Sequence, residues 1–219
     1  MAPPKKVSVI GPGVLAPGAA LDFPTGGGAE LGGLAAVISI DSTLFFLTCG
    51  HHHPAKNGKL RLRGALEDLG VLDMNLLTLD KPIDAAIYTV NPAGLALLTA
   101  SRNAPTWNTN VLPPYGYQNT CGVVFWPTNC VGLPPCAATV SSHSATAPWL
   151  LAEPVNNGFI RTEVITVAGD SGSLLTLGGS SYGLCTGRGR FYSFYTPIFA
   201  VIVRLYQLKQ AKGVQLWVP

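Results

Sequence analysis

The chain has 219 residues, of which 47% are apolar and only 11% charged, with 25 glycines, 18 prolines and a formal net charge of +3. That length and apolar share suit one domain with a substantial core, and Gly and Pro spread along the whole sequence argue for many turns between short strands rather than for a collagen or a linker. The basic residues are densest at Lys5-Lys6 and Arg188-Gly189-Arg190 and form no run of the nucleic-acid-binding kind; no apolar stretch reaches the roughly 20 residues that cross a bilayer.

In chain order, residues 1–32 are rich in Gly and Pro and are expected to wrap the domain. Gly11-Pro12-Gly13 and Pro17 interrupt any apolar region after Met1–Lys6, so a signal peptide is not expected and a cytoplasmic location is favoured, with secretion left open. Leu34–Ile40 and Thr43–Thr48, split by Asp41-Ser42, read as a β-hairpin. Further short runs rich in Val, Ile, Leu, Thr and aromatics follow at Leu60–Arg63, Gly70–Leu79, Ala85–Val90, Cys121–Trp126, Phe159–Val167, Ser173–Leu177 and Tyr182–Thr186. This spacing predicts an all-β barrel or sandwich, not alternating βαβ units. The exception is Ile198–Ala211, where Ile198, Val201, Ile202, Leu205 and Leu208 fall at helical spacing and Gly213 supplies a stop.

Five cysteines, Cys49, Cys121, Cys130, Cys136 and Cys185, leave at least one unpaired within the chain. Free thiols are expected, with one bridge among Cys121, Cys130 and Cys136 as the alternative. A charge content of less than half the usual level also suggests that a regulatory partner or a second copy covers part of the surface.

Three segments carry chemistry. In Gly169-Asp170-Ser171-Gly172-Ser173, glycines on both sides of Ser171 let the backbone turn sharply and a substrate approach. The amides of Gly169 and Ser171 would then converge as an oxyanion hole. The same residues also read as a plain Gly/Ser turn. In Leu47-Thr48-Cys49-Gly50-His51-His52-His53, a histidine sits where a strand leaves the core; a solvated polar tip is the alternative. In Ile83-Asp84-Ala85-Ala86-Ile87, a lone acid opens an apolar strand, where it can orient an imidazole or simply cap the strand. Their order is His, Asp, Ser. An α/β-hydrolase is excluded, because residue 173 is Ser where that fold needs Gly and no histidine follows His143.

Thr48-Cys49-Gly50-His51, Asp84-Ala85-Ala86-Ile87 and Gly169-Asp170-Ser171-Gly172 resemble the three signature blocks of trypsin-like peptidases. Ser181–Gly187 and Phe194–Pro197 followed by a helix resemble the bacterial streptogrisin branch. The resemblance spans about residues 34–208 and implies two perpendicular six-stranded barrels with the site in the cleft between them. The N-terminal barrel would cover about 33–95, the C-terminal barrel about 115–197 and a helix about 198–211. It further implies a serine endopeptidase acting on protein or peptide substrates, with His51 as general base, Asp84 as its orienter, Ser171 as nucleophile and Gly169 and Ser171 donating to the oxyanion. Thr186 and Gly187 would pair with an extended substrate. Ile165 would lie at the base of the specificity pocket, Thr166 on a wall, and Arg188 and Ser193 near the rim. A base without a carboxylate disfavours substrates cut after Lys or Arg. Ile165 favours an apolar side chain of modest size, while Arg188 argues for Glu or Asp. The cysteine usual after the catalytic histidine is replaced by His52, and Val167 occupies one position of the bridge beside the pocket.

No cofactor and no metal are expected. Zinc on Cys49 with His51, His52 and His53 is disfavoured because adjacent residues in extended chain point to opposite sides. His143 reads as a surface residue, and Pro113-Pro114-Tyr115 with Pro134-Pro135 as an ordered connection. The second reading of function is a binding or scaffold protein of the same fold with an unassembled triad.

Overall fold

The computed structural model describes residues 13–25, 28–52, 58–113, 121–128, 134–145 and 158–219. Strands form where short apolar runs are bounded by turn residues. The predicted hairpin is present as β3 (Ala36–Ile40) and β4 (Thr43–Thr48), paired from Ala36↔Leu47 to Ile40↔Thr43. Asp41 and Ser42 both take positive φ, 46° and 72°, which matches the twist a two-residue hairpin needs.

The strands β1 (Ala20–Thr25), β2 (Gly28–Gly33), β5 (Lys59–Leu62), β6 (Gly70–Asn75), β7 (Ala86–Val90) and β14 (Val214–Trp217) join that hairpin in an eight-stranded sheet of order β14-β3-β4-β7-β6-β5-β1-β2. It adds two strands to the six expected. The stretch that was expected only to wrap the domain supplies β1 and β2, and the chain returns at β14 to pair with β3 through Val214↔Ile40 and Trp217↔Val37. The other half is a closed six-stranded barrel, β10-β13-β12-β11-β8-β9, built from β8 (Gly122–Trp126), β9 (Cys136–Ala145), β10 (Phe159–Glu163), β11 (Leu174–Leu177), β12 (Ser180–Arg188) and β13 (Tyr192–Pro197). Closure leaves this barrel no open sheet edge to protect along its paired length. The predicted run Gly70–Leu79 ends as a strand at Asn75 and continues as a 3₁₀ turn, Leu76–Thr78.

Among the described residues there are two α-helices. Helix α1 (Pro92–Ala100) was not anticipated, although its start is written in the sequence. The Asn91 side chain accepts from the Gly94 amide at 2.8 Å, and Pro92 takes the first helical position. Helix α2 (Ile198–Lys209) is the predicted one. It ends at Gln210, which adopts left-handed φ of 49°, before the expected stop at Gly213. Ile198, Val201 and Leu205 are buried and pack with Ile38, Ile87, Leu174 and Leu184, so α2 seals apolar surface from both halves. Among the described residues no helix is long and apolar enough to cross a membrane.

Because Leu205 is fully buried, Leu205→Ala should cost about 2–5 kcal/mol of unfolding free energy, read as a lower midpoint in urea. Tyr206→Ala, one residue on and 52% exposed, should stay within about 0.5 kcal/mol of the parent.

Candidate active site

The loop after β4 and the turn before β7 meet around one carboxylate. The Asp84 side chain is 0% exposed. Its Oδ1 accepts from the amides of Gly50 at 2.8 Å and His51 at 3.0 Å, and its Oδ2 lies 2.9 Å from His51 Nδ1. A carboxylate can only accept, so Nδ1 carries the ring proton and Nε2 is left as the acceptor. Asn75 braces the arrangement: its Nδ2 donates to the Gly50 carbonyl at 2.7 Å, and its Oδ1 accepts from Leu77 N at 3.0 Å. Thr196, from β13, donates to the Asp84 carbonyl at 3.4 Å and shares a 2.8 Å hydroxyl contact with Thr186. Asp80, the other acid nearby in sequence, is exposed and offers Arg204 its main-chain carbonyl.

Burial opposes a charge on His51, but the Cys49 sulfur and the Asp84 carboxylate outweigh it, so the imidazole pKa stands above its ordinary 6.5. Burial pushes the Cys49 thiol up as well.

The Gly169–Ser173 segment turns tightly against the same region. Gly169 and Gly172 take φ of +95° and +86°, a region that costs other residues free energy. A Cβ on Gly172 would strike Thr48 Oγ1 and, at 2.5 Å, the Gly33 carbonyl. The Gly33 amide donates to the Ser171 carbonyl at 2.7 Å, and Thr48 Oγ1 donates to the Gly33 carbonyl at 2.7 Å. Ser171 is thereby tied to the strand that ends three residues before His51. The amides of Asp170, Gly172 and Ser173 are engaged by Val167, Cys185 and Asp170 carbonyls, while those of Gly169 and Ser171 have no hydrogen-bond partner among the described residues. Ser171 is half-buried, and no hydrogen bond joins its hydroxyl to His51 among the described residues.

Asp170 had no assigned role in the sequence. It is fully buried; Oδ2 accepts from Val167 N at 2.9 Å, and Oδ1 accepts from Thr128 N at 3.0 Å and Thr128 Oγ1 at 3.3 Å. Burial raises its pKa above the ordinary 3.8. Asp170 fixes the loop on which Ser171 sits.

The residues expected to bind substrate gather beside this loop. Ser193 was expected near the rim but is fully buried, because its Oγ fills a wall behind Ile165 and Thr166. It accepts from Ile165 N at 3.0 Å and Thr166 N at 3.2 Å and lies 2.9 Å from Thr166 Oγ1. Arg188 Nη1 donates to the Thr166 carbonyl at 3.4 Å. Cys185 exchanges hydrogen bonds with Gly172 and Ser173. Beyond it, the side of β12 away from β13 has no strand partner at Thr186, Gly187 and Arg188 among the described residues.

His51 and His52 do not point to opposite sides. They occupy a turn rather than extended chain, and their rings are 4.4 Å apart at the centroids. His52 stacks on Phe23 and faces Glu30 Oε2 at 3.3 Å through Nδ1. Ligand atoms of Cys49, His51 and His52 lie within 4.8 Å of one another, while the Nδ1 of each ring already faces a carboxylate. His53 and Cys130 lie outside the described residues, as do Pro114 and Tyr115. Cys49, Cys121, Cys136 and Cys185 are free. His143 holds the Tyr182 hydroxyl at 2.7 Å through Nδ1, which makes it part of the barrel's polar bonding rather than an isolated surface residue.

These features define the fold of the chymotrypsin-like serine proteases: a closed six-stranded barrel, a second sheet and a C-terminal helix. Solved structures bear this out. Thermobifida fusca protease A is 15% identical, covers 94% of this chain and 100% of its own, and superposes with a TM-score of 0.62. A glutamic-acid-specific serine protease that uses a histidine triad in substrate binding is 15% identical over 93% of this chain and 100% of its own, with a TM-score of 0.62. An α-lytic protease homologue, N4, is 16% identical over 92% and 98%, with a TM-score of 0.61. No protein-family model matches the sequence, and no curated protein matches it significantly.

Gly172→Ala places a methyl group against Thr48 and Gly33 at a positive φ. It should lower the thermal midpoint by an amount equivalent to about 2 kcal/mol or more, measured by circular dichroism.

Proposed function

We propose that the protein is a serine endopeptidase in which Ser171, His51 and Asp84 form the catalytic triad. The observation that carries this reading is the buried Asp84 carboxylate bonded to Nδ1 of a half-exposed histidine, on the fold of serine proteases. Ser171 Oγ attacks the scissile carbonyl, and Nε2 of His51 takes its proton. Asp84 stabilises the imidazolium that forms. The free amides of Gly169 and Ser171 donate to the oxyanion. As the tetrahedral adduct collapses, His51 passes the proton to the leaving amine and an acyl-enzyme remains. Water then repeats the sequence in reverse. The unpaired edge at Thr186–Arg188 receives the substrate as an added strand, with Ile165, Thr166 and Ser193 shaping the pocket beside it. The free thiols suit a reducing compartment.

The missing hydrogen bond between Ser171 and His51 favours one alternative, a binding protein of this fold whose triad does not assemble. Apo proteases also show long contacts here, and these tighten when substrate binds. A fluorophosphonate probe separates the two readings: labelling at Ser171 supports the peptidase, and an unlabelled folded protein supports the binding protein.

Ser171→Ala and His51→Ala should each abolish hydrolysis with the fold intact, and the double variant should be no worse than either. Asp84→Asn should lower turnover about 10⁴-fold near neutral pH. His51 must be neutral to act, and its pKa is raised, so kcat/KM should climb with pH through a midpoint above 6.5. In Asp84→Asn the residual activity should rise at lower pH than in the parent. Parental rates in that variant, measured on a chromogenic peptide, would remove Asp84 from the triad.

A further inference from the structure

We infer that Cys49, His51 and His52 form a binding site for a zinc-class divalent cation, and that such an ion switches hydrolysis off by taking the ring nitrogen that His51 uses as a base. The binding stands on the geometry of the three side chains; the switching rests on the endopeptidase reading above.

The sequence argued against a metal here because neighbours in extended chain point apart. His51 and His52 lie in a turn instead, with ring centroids 4.4 Å apart. One ligand atom from each ring and the Cys49 sulfur fall within 4.8 Å of one another. Bonds of about 2.0–2.3 Å at tetrahedral angles set ligand atoms roughly 3.3–3.6 Å apart, so closing on an ion takes shifts of about 1 Å per side chain.

The surroundings of the two rings mark the cluster as a site. A metal-binding histidine almost always directs its other ring N–H to a carboxylate, carbonyl or water, which fixes the tautomer and makes the ligand nitrogen more basic. Both rings face a carboxylate in this way. His51 Nδ1 is 2.9 Å from Asp84 Oδ2, and His52 Nδ1 is 3.3 Å from Glu30 Oε2. With the proton on Nδ1, the lone pair of each ring is on Nε2. Asp84 and His51 alone serve Ser171, so the second acid–imidazole pair is more than the proposed triad needs. His52 is also held in place by stacking on Phe23 at 5.3 Å. Solvent reaches the cluster at the His51 side chain, 31% exposed, while His52 is 11% exposed and Cys49 is fully buried.

The ligand set selects the ion. One sulfur and two imidazoles suit zinc, which accepts three protein ligands and keeps a fourth position open; magnesium and calcium require oxygen donors. Binding replaces the Cys49 thiol proton, which leaves to solvent, and nothing is oxidised or reduced. With Nε2 of His51 bonded to the ion, the ring can no longer accept the Ser171 hydroxyl proton, and hydrolysis stops until the ion leaves.

The test titrates the intact, metal-free chain with zinc alone by calorimetry, beside a peptide-hydrolysis assay. One equivalent of zinc should bind, and magnesium and calcium should not. Cobalt(II) in its place should give a thiolate-to-cobalt charge-transfer band that Cys49→Ala removes. His52→Phe keeps the stacking on Phe23 but loses the ligand, and its zinc affinity should fall about 100-fold or more; Glu30→Gln, which touches only the outer carboxylate, should cost about tenfold. Zinc should inhibit the parent, a chelator should restore it, and His52→Phe should cut at the parental rate in metal-free buffer and resist zinc. Absence of binding to the parent, or equal zinc affinity in the parent, His52→Phe and Glu30→Gln, overturns the site. Zinc bound through Cys49 and His52 without inhibition of an active enzyme overturns the switch. Zinc bound in that way by a chain that cuts nothing and takes no fluorophosphonate at Ser171 supports the site, and it is then the peptidase reading that fails.

Discussion

A carboxylate with 0% side-chain exposure is the constraint from which the rest of the site follows. Burying that charge is costly unless every lone pair is met. Asp84 meets the requirement with two main-chain amides and one imidazole N–H. Those three donors come from two consecutive residues, so satisfying the charge dictates the conformation of Gly50-His51 and the tautomer of the ring. Asn75 and Thr196 then bond the main chain around the pair. Thr196 belongs to the barrel, so the carboxylate of one half is framed by a hydroxyl of the other.

The second buried carboxylate answers the same problem differently. Asp170 meets no ring and no cation; amides and a hydroxyl satisfy it. Because its folded-state pKa lies above 3.8, the ionised group costs stability at neutral pH, and the cost fades as pH falls toward the unfolded value. What the charge secures is geometry. It holds Val167 and Thr128, while the amides of Gly169 and Ser171 have no hydrogen-bond partner among the described residues. One acid fixes the His51 ring and the other fixes the turn that carries Ser171.

Much of this was legible in the sequence because the signals are local. Thr43–Thr48 with the His51 turn, Asp84 before an apolar strand, and Ser171 between glycines each declare themselves within a few residues. Helix α2 shows as periodicity. What was not legible depends on partners far along the chain. Thr128 is 42 residues from Asp170, and Thr196 is 112 from Asp84; nothing near either threonine marks it. Strand β14 has no meaning until β3 is beside it. The facing of His51 and His52 was misjudged because the period-two rule applies only to extended chain, and these residues turn. Helix α1 had a usable signal in Asn91-Pro92, masked by apolar residues on every side of a nine-residue segment.

Strand β14 gives the architecture a temporal side. The sheet that carries His51 is flanked along β3 by residues 214–217, so its hydrogen-bonded edge is supplied by chain synthesised some 175 residues later. Pairings of such separation form slowly, since a long loop must close before any contact rewards it. On the ribosome the first half waits with β3 exposed while the entire barrel and α2 emerge. A chain assembled in this order completes the sheet beside His51 and the barrel beside Ser171 in the same late event.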